Sequence, residues 1–270
     1  MNAALTGNAL LAQLVARLDQ HDRLAVAVSG GVDSMTLAHV AWRFARTRVT
    51  MYHATGPAVP AAARGRVEVH AAEQGWPLLL LDAGEQRDAR YRANPVDRCY
   101  YCKTNLYARI RQATPDPIAS GTNLDDLSDF RPGLRAATER DVVHPYVEAG
   151  IGKAQVYALA SGLGLDDLEQ LPAQPCLASR VETGIAIAPE DLAFIDAVET
   201  ELAALFGHMS VLRCRVTHGG IVIELADSDG ASVAIAHAIG THACRREQRT
   251  FAGVRPYSRG AAFLRRAGNA

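Results

Sequence analysis

The feature that most constrains this chain is an apolar run that ends abruptly in a glycine pair. Leu24-Ala-Val-Ala-Val28 reads as a buried strand, and Ser29-Gly-Gly-Val-Asp-Ser34 follows it directly. A helix is expected next, from about Ser34 to Arg46. Strand, glycine turn and helix in this order open a βαβ unit, whose parallel strands are buried on both faces. Glycine admits positive φ and lets the backbone approach an anion closely. The helix N-terminus adds unclaimed N–H groups and the positive end of its dipole. Ser29 and Ser34 add hydroxyls, and Asp33 is placed either to cap the helix or to hold a magnesium ion. The plainer alternative is a glycine turn with Asp33 or Ser34 as N-cap. A Walker A loop is excluded, because no Gly-Lys-Ser/Thr follows.

The same alternation continues. A helix is expected over 3–18, a strand over 49–54, a helix over 60–74 and a strand over 78–82. Residues 99–113 read as helix, a short strand at 118–120 ends in Gly121-Thr-Asn123, and another helix runs from Gly152 to about Gly162–Gly164. This predicts an α/β fold with a parallel sheet. Past residue 166 the pattern changes. Segment 166–188, with Pro172, Pro175 and Gly184, reads as a long loop. Helix 189–206, strands 211–217 and 220–226 in a hairpin around Gly219-Gly220, helix 230–240 and strand 249–254 follow. The expected division is 1–180 for the first domain and 181–270 for a smaller α+β domain.

Composition narrows the function classes. The chain has 270 residues, with 28 basic and 29 acidic side chains and a formal charge of −1. That balance counts against a non-specific nucleic-acid binder, whose affinity rests on excess positive charge. Apolar runs such as 77–81 are too short to span a bilayer, and the N-terminus lacks a signal-peptide pattern. A cytoplasmic location is expected, with no membrane partner, so the five cysteines are expected as thiols, metal ligands or catalytic groups. Cys99-x-x-Cys102 heads a predicted helix and Cys176 lies in the long loop. The pair by itself suits a redox dithiol, half of a zinc site or part of an iron–sulfur site. No second close Cys/His pair completes a zinc site, since His144 and His208 are isolated. Cys214 and Cys244 read as small core residues.

Only two of the 28 basic residues are lysines, Lys103 and Lys153. Lys103 adjoins the cysteine pair. Lys153 opens a helix after Gly150-Ile-Gly152, where an ammonium opposes the helix dipole unless an anion is near. Asp125 and Asp126 follow the predicted strand at 118–120, at the edge where open α/β sheets bind ligands. They suit either magnesium binding or helix capping. Arg213 and Arg215 alternate on a strand and would point the same way, as a phosphate clamp or as a solvated face.

The hexapeptide SGGVDS resembles the pyrophosphate-binding loop of the PP-loop ATP pyrophosphatases. The resemblance implies a five-stranded, adenine nucleotide α-hydrolase-like domain and cleavage of ATP between its α and β phosphates. Further segments narrow it: Arg98-Cys-Tyr-Tyr-Cys-Lys103, Gly121-Thr-Asn-Leu-Asp-Asp126, Phe130-Arg-Pro-Gly133, Gly152-Lys153 and Pro175-Cys-Leu-Ala-Ser-Arg180. In this order they resemble the LarE family, ATP-dependent sulfur transferases for the nickel-pincer nucleotide cofactor. Where that family continues with an Ile/Phe-Pro-Tyr-Gly stretch, this chain has Val181-Glu-Thr-Gly184. Arg213-Cys-Arg215 and Glu201 fall where the family has an Arg-x-Arg pair and an upstream Glu, and the tail from Phe251 to Arg259-Gly260 is similar to its final segment.

The resemblance implies adenylation of a carboxylate of a pyridinium-biscarboxylate mononucleotide, then displacement of AMP by sulfur. It implies nucleotide binding by Ser29, Gly30, Gly31, Asp33, Ser34, Gly121, Asn123, Lys153, Ser179, Arg180, Arg213 and Arg215. Mg²⁺ would be held by Asp33, Asp125 and Asp126. Chemistry would fall to Cys176, Cys99, Cys102, Lys103 and Glu201. Two sulfur routes are open. In the preferred one Cys99, Cys102 and Cys176 hold a four-iron four-sulfur (4Fe-4S) cluster. In the other Cys176 gives up its own sulfur. The expected partners are ATP, the small-molecule nucleotide and further copies of the chain. A tRNA thiolase, an amide-forming PP-loop ligase and a nucleotide-binding sensor are the rival readings.

Overall fold

The computed structural model describes residues 3–128, 131–207, 211–226 and 229–257. Phe130, His208, Arg259 and Gly260 lie outside the described residues. In chain order the elements are α1 (Ala3–Leu18), β1 (Arg23–Ala27), α2 (Val32–Phe44), β2 (Arg48–Ala54), α3 (Ala61–Gln74) and β3 (Leu78–Leu81). Then come α4 (Ala89–Arg92), α5 (Arg98–Ala113), β4 (Ile118–Ser120), α6 (Pro132–Thr138), α7 (Pro145–Glu148), α8 (Lys153–Gly162) and α9 (Asp166–Glu169). The chain continues with α10 (Pro189–Phe206), β5 (Leu212–Thr217), β6 (Gly220–Leu225), α11 (Gly230–Arg246) and β7 (Phe251–Pro256). It divides into two compact units: residues 1–85 with 99–173, and 86–98 with 174–270.

In the first unit the strands run in the order β3-β2-β1-β4, all parallel. Ala25 of β1 sits in register with Thr50 of β2 on one side and Ile118 of β4 on the other. Strand alternation sends Leu24 and Val26 into a core with Leu14, Leu18, Met35, Val40 and Leu159. Ala25 and Ala27 face a second cluster around Tyr52, Tyr107, Ile110 and Ile118. Helices thus cover both faces, and the chain reverses its direction of growth between β1 and β4. That crevice is where ligands bind in open α/β sheets.

The expected fifth strand is reduced to one bridge. Val143 pairs with Ala119, donating to the Ile118 carbonyl at 2.8 Å and accepting from Ser120 N–H at 3.1 Å. The reason is local. Asp141 has φ of +51°, and Pro145, which has no N–H, opens α7 two residues after Val143.

In the second unit β5 and β6 form the antiparallel hairpin, and β7 joins β6 in parallel. α10 packs on β5, and α11 packs on β6 and β7. A Cβ at Gly240 would stand 2.4 Å from the Phe251 ring, so α11 lies close on β7 only because that residue is glycine. The long loop is more structured than its composition suggests. It contains α9, a 3₁₀ turn over Leu177–Arg180, and a parallel bridge from Val181 to Val216. Buried Asn94 secures it, with its Nδ2 donating to the carbonyls of Val181, Glu182 and Ile185 at 3.3, 3.0 and 3.0 Å. Asn94 O accepts from Gly184 N–H at 3.0 Å and Arg92 O accepts from Ile187 N–H at 2.8 Å. These bonds bind segment 86–98 to 181–187.

Candidate functional site

The phosphate loop closes on itself. Ser34 Oγ accepts from Ser29 N–H at 3.0 Å and donates to the Gly31 carbonyl at 3.2 Å. Gly30 has φ of +84°, which excludes a side chain there. Gly31, not Asp33 or Ser34, is the N-cap of α2, and no side chain caps that end. The first N–H groups of α2 therefore keep their capacity for an anion. Gly121 closes the other wall, because a Cβ on it would stand 2.7 Å from the Ser34 nitrogen.

Asp33 sits in the first turn of α2 and faces partners from three other segments. Lys153 Nζ pairs with its Oδ2 at 2.6 Å, and Asn123 Nδ2 donates to its Oδ1 at 3.0 Å. The hydroxyl of buried Tyr146 donates to its carbonyl at 3.0 Å. The anion expected beside the Lys153 ammonium is thus present as a carboxylate. A bound polyphosphate would enter where Lys153 and the α2 N-terminus meet.

Both capping and charge account for Asp125 and Asp126. Asp125 accepts from the Lys153 N–H at the start of α8. Gly152 makes room for it, since a Cβ there would lie 2.7 Å from Asp125 Oδ2. Asp126 accepts from Asn123 N–H at 3.1 Å and pairs with Arg131 at 2.7 Å. Burial raises the Asp126 carboxyl above its usual range, and the charge of Asp33 adds to the shift. Among the described residues no three His, Cys, Asp or Glu side chains gather as a metal site. Magnesium needs less from protein, because it is commonly held by one or two carboxylates, water and the substrate's phosphates. Asp33 and Asp126 fit that pattern.

The second unit carries an arginine-rich face. Cross-strand register lines up Arg213, Glu224 and Arg255 on β5, β6 and β7. Glu224 is fully buried. It accepts from Arg215 Nε at 2.6 Å, and from Arg255 Nε and Nη2 at 3.0 and 2.8 Å. Arg213 and Arg215 lie on one face, as alternation requires, and both are buried. Burial, then the neighbouring Arg180 charge, pulls the Arg213 pKa down. Arg180 forms a two-pronged pair with Glu199, at 2.9 Å on both arms. Among the described residues, Arg180 pairs with Glu199, Arg215 and Arg255 pair with Glu224, and Arg213 stands beside them, so guanidiniums crowd this face.

Cys176 belongs to this cluster's framework. Arg180 Nη1 donates to the Pro175 and Cys176 carbonyls at 2.6 and 3.3 Å, and to Ser179 Oγ at 3.0 Å. Arg215 Nη1 donates to the Ser179 carbonyl at 3.0 Å. Glu201 lies exposed on α10. Glu199, two residues earlier, is the acid that reaches inward, to Arg180 and to the Cys214 N–H at 2.9 Å. Burial pushes the Cys214 thiol well up, and the Cys244 thiol up as well, which suits inert core residues.

Cys99 and Cys102 lie in the first unit, at i and i+3 in the first two turns of α5, on one helix face. Gly133 of α6 packs there, since a Cβ on it would meet the Lys103 Cγ at 3.0 Å and the Cys99 carbonyl at 3.6 Å. Lys103 Nζ lies 5.8 Å from the centre of the Tyr107 ring. No cysteine is in a disulfide among the described residues. Thiolates are the usual ligands of iron–sulfur clusters, so this pair fits that chemistry as far as it goes.

Reading the sequence missed Glu199, Glu224, Arg255 and Tyr146. Glu224 had a usable signal, because counting back from the hairpin turn sets it opposite Arg213. Tyr146 and Glu199 carry none, being ordinary residues on helices.

A glycine loop at the β1/β4 reversal of a parallel sheet, closed by a lysine from α8, defines a PP-loop-type α/β domain. Comparison with known proteins gives the rest. The chain is 34% identical over 188 residues to an uncharacterised protein of Synechocystis sp., covering 68% of this chain and 70% of that one. An uncharacterised Methanocaldococcus jannaschii protein is 26% identical over 212 residues, 77% and 79% of the two chains. The pyridinium-3,5-bisthiocarboxylic acid mononucleotide synthase of Lactiplantibacillus plantarum is 30% identical over 204 residues, 72% of each. No protein-family model matches. The chain belongs to the LarE-type family of PP-loop sulfur transferases. Among the described residues no helix is long and apolar enough to cross a membrane.

Proposed function

We propose that this chain is an ATP-dependent sulfur transferase acting on a pyridinium-biscarboxylate mononucleotide. The observation that carries the reading is in the second unit. The cysteine segment Pro175–Ser179 is hydrogen-bonded to Arg180 and Arg215 of a cluster of arginines. A phosphate-bearing substrate held by Arg213 and Arg215 would lie beside the chain segment that bears Cys176. The Lactiplantibacillus plantarum relative, by its name, makes a thiocarboxylated mononucleotide, which supports this choice of substrate.

The chemistry has two stages. A substrate carboxylate oxygen attacks the α-phosphorus of ATP, and the bond to the β-phosphate oxygen breaks. Pyrophosphate leaves, and the α2 N-terminus and Lys153 stabilise its charge. Lys153 then exchanges part of its Asp33 pairing for the phosphates, and Asp33 with Asp126 would hold Mg²⁺. The carboxylate is now an acyl adenylate, with AMP as a good leaving group. Sulfide attacks the acyl carbon and AMP departs with the bonding pair, leaving the thiocarboxylate. With Cys176 as donor a thioester forms first, and loss of the Cys176 Cα proton breaks its Cβ–Sγ bond, leaving dehydroalanine.

For sulfur delivery we favour Cys99, Cys102 and Cys176 as the three ligands of a four-iron four-sulfur cluster. These three thiolates would hold the cluster, and the group would supply a place for the sulfide to be transferred. The alternative is Cys176 as a sacrificial donor. Anaerobic reconstitution with iron and sulfide should give a brown protein, and Cys99→Ser should lose the colour. Loss of one sulfur from Cys176 on turnover would instead establish sacrifice. The decisive test of the whole reading is an anaerobic assay with ATP, sulfide and the pyridinium mononucleotide, read by mass for oxygen-to-sulfur exchange. Ammonia-dependent, sulfide-independent turnover would replace it with an amide-forming ligase. Self-association of the chain is part of the proposal and is read by light scattering.

A further inference from the structure

The phosphate loop is braced from behind by α3. The Ala63 carbonyl stands 2.5 Å from where a Cβ on Gly30 would be. One helical turn on, Arg66 Nη1 donates to the Gly30 carbonyl at 2.7 Å. Asp167 of α9 lies 3.8 Å from Arg66 Nε, and the same carboxylate oxygen is 3.0 Å from His70 Nε2. The Arg66 side chain is only 14% exposed, and that burial lowers its pKa against the opposing pull of Asp167. Holding a guanidinium under a neutral carbonyl costs solvation, so its placement needs a physical reason.

Peptide geometry supplies one. In a trans peptide the C=O and the following N–H point in opposite directions, and no described peptide is cis. With the Gly30 carbonyl turned to Arg66, the Gly31 N–H points away from it, into the loop. There it makes only a 3.5 Å contact with Ser29 Oγ. With glycine on both sides, this peptide meets no side chain of its own if it turns over. Turned over, it would present a carbonyl oxygen to an incoming anion.

We propose that Arg66 is a positioning residue that locks the Gly30–Gly31 peptide with its N–H toward the pyrophosphate portion of ATP. The inference rests on the ATP reading given above. Asp167 acts one step further back, by holding the guanidinium.

The test is calorimetric titration of the full chain with inorganic pyrophosphate, with ATP and, separately, with AMP. Arg66→Met is expected to weaken pyrophosphate binding roughly tenfold, on the scale of one lost hydrogen bond to a charged group. AMP lacks the β and γ phosphates, so its affinity should stay at the wild-type value. Arg66→Lys retains a cationic donor and should recover most of the loss. Asp167→Asn, at a half-exposed position, should shift pyrophosphate binding in the same direction by less, and serves if Arg66→Met does not fold. Pyrophosphate binding unchanged in both Arg66→Met and Asp167→Asn would overturn the inference alone. So would equal loss of pyrophosphate and AMP, which would mean a collapsed loop. A wild-type protein that binds neither pyrophosphate nor ATP would overturn the ATP reading and this inference with it.

Discussion

Glu224→Gln removes the charge that the arginine face is built around. Glu224 is fully buried and its two oxygens are divided, Oε2 to Arg215 and Oε1 to Arg255. A carboxamide keeps one acceptor and turns an NH₂ toward a guanidinium, so one side of the bridge becomes donor against donor. The amide turns that side to Arg255, whose side chain is 49% exposed and can move to water. Arg215 has no such escape, being 9% exposed by side chain; it keeps the amide oxygen but loses its counter-charge, and its other hydrogen bond goes to the neutral Ser179 carbonyl. Breaking a buried ion pair by removing one partner costs about 3–5 kcal/mol. We take the lower end, about 3 kcal/mol, because the amide oxygen still accepts one bond. That corresponds to a fall in Tm of at least about 6 °C for a domain of this size. The assay is differential scanning calorimetry with and without inorganic phosphate. Phosphate should raise the Tm of Glu224→Gln more than that of the wild type, since it replaces the lost negative charge. A variant whose Tm matches the wild type and shows no added response to phosphate would refute the reasoning.

Four further outcomes are expected. Lys153→Ala should sharply lower pyrophosphate release from ATP while leaving stability within about 1 kcal/mol, because the Asp33 pair is part-exposed. Lys153→Arg should also impair release, since a planar guanidinium does not replace a compact ammonium between Asp33 and the phosphates; wild-type rates in either variant would remove Lys153 from the site. Gly121→Ala places a methyl 2.7 Å from the Ser34 nitrogen and should cost about 1–3 kcal/mol and weaken ATP binding together, as read by denaturant melts and nucleotide titration. Burial lowers the pKa of His39, and both its ring nitrogens are buried with no hydrogen-bond partner among the described residues. The unfolded chain therefore binds this proton first, so stability is lost as pH falls below the unfolded value of about 6.5 and is unaffected above it. His39→Leu should flatten the fall in Tm between pH 7 and pH 5, and an unchanged slope would contradict the assignment.

The elements were legible because their signals are local. The apolar run 24–28, the glycine pair and the periodic helices each follow from side-chain period and backbone freedom, and the structure places β1, α2, β5 and β6 within two residues of expectation. The bridge at Val143 was not legible, since a valine before His-Pro looks no different from a loop residue. Nor was the character of segment 166–188. Its prolines read as loop, and its order comes from Asn94, more than eighty residues away, bonding three of its carbonyls.

The sequence alone determined the chemistry on offer: a phosphate loop, two lysines placed at motifs, a cysteine pair and an Arg-x-Arg strand. These are readable because each depends on residue type and short spacing. Tertiary structure alone decided which charges meet. It joined Asp33 to Lys153 across 120 residues, gave Arg180 to Glu199 while Glu201 stayed at the surface, set Glu224 between two arginines and put Arg66 behind Gly30. Pairings of that kind depend on strand register and helix packing. Charges alone do not encode them, because any of the 29 acidic side chains could in principle serve any arginine until the fold brings one of them within reach.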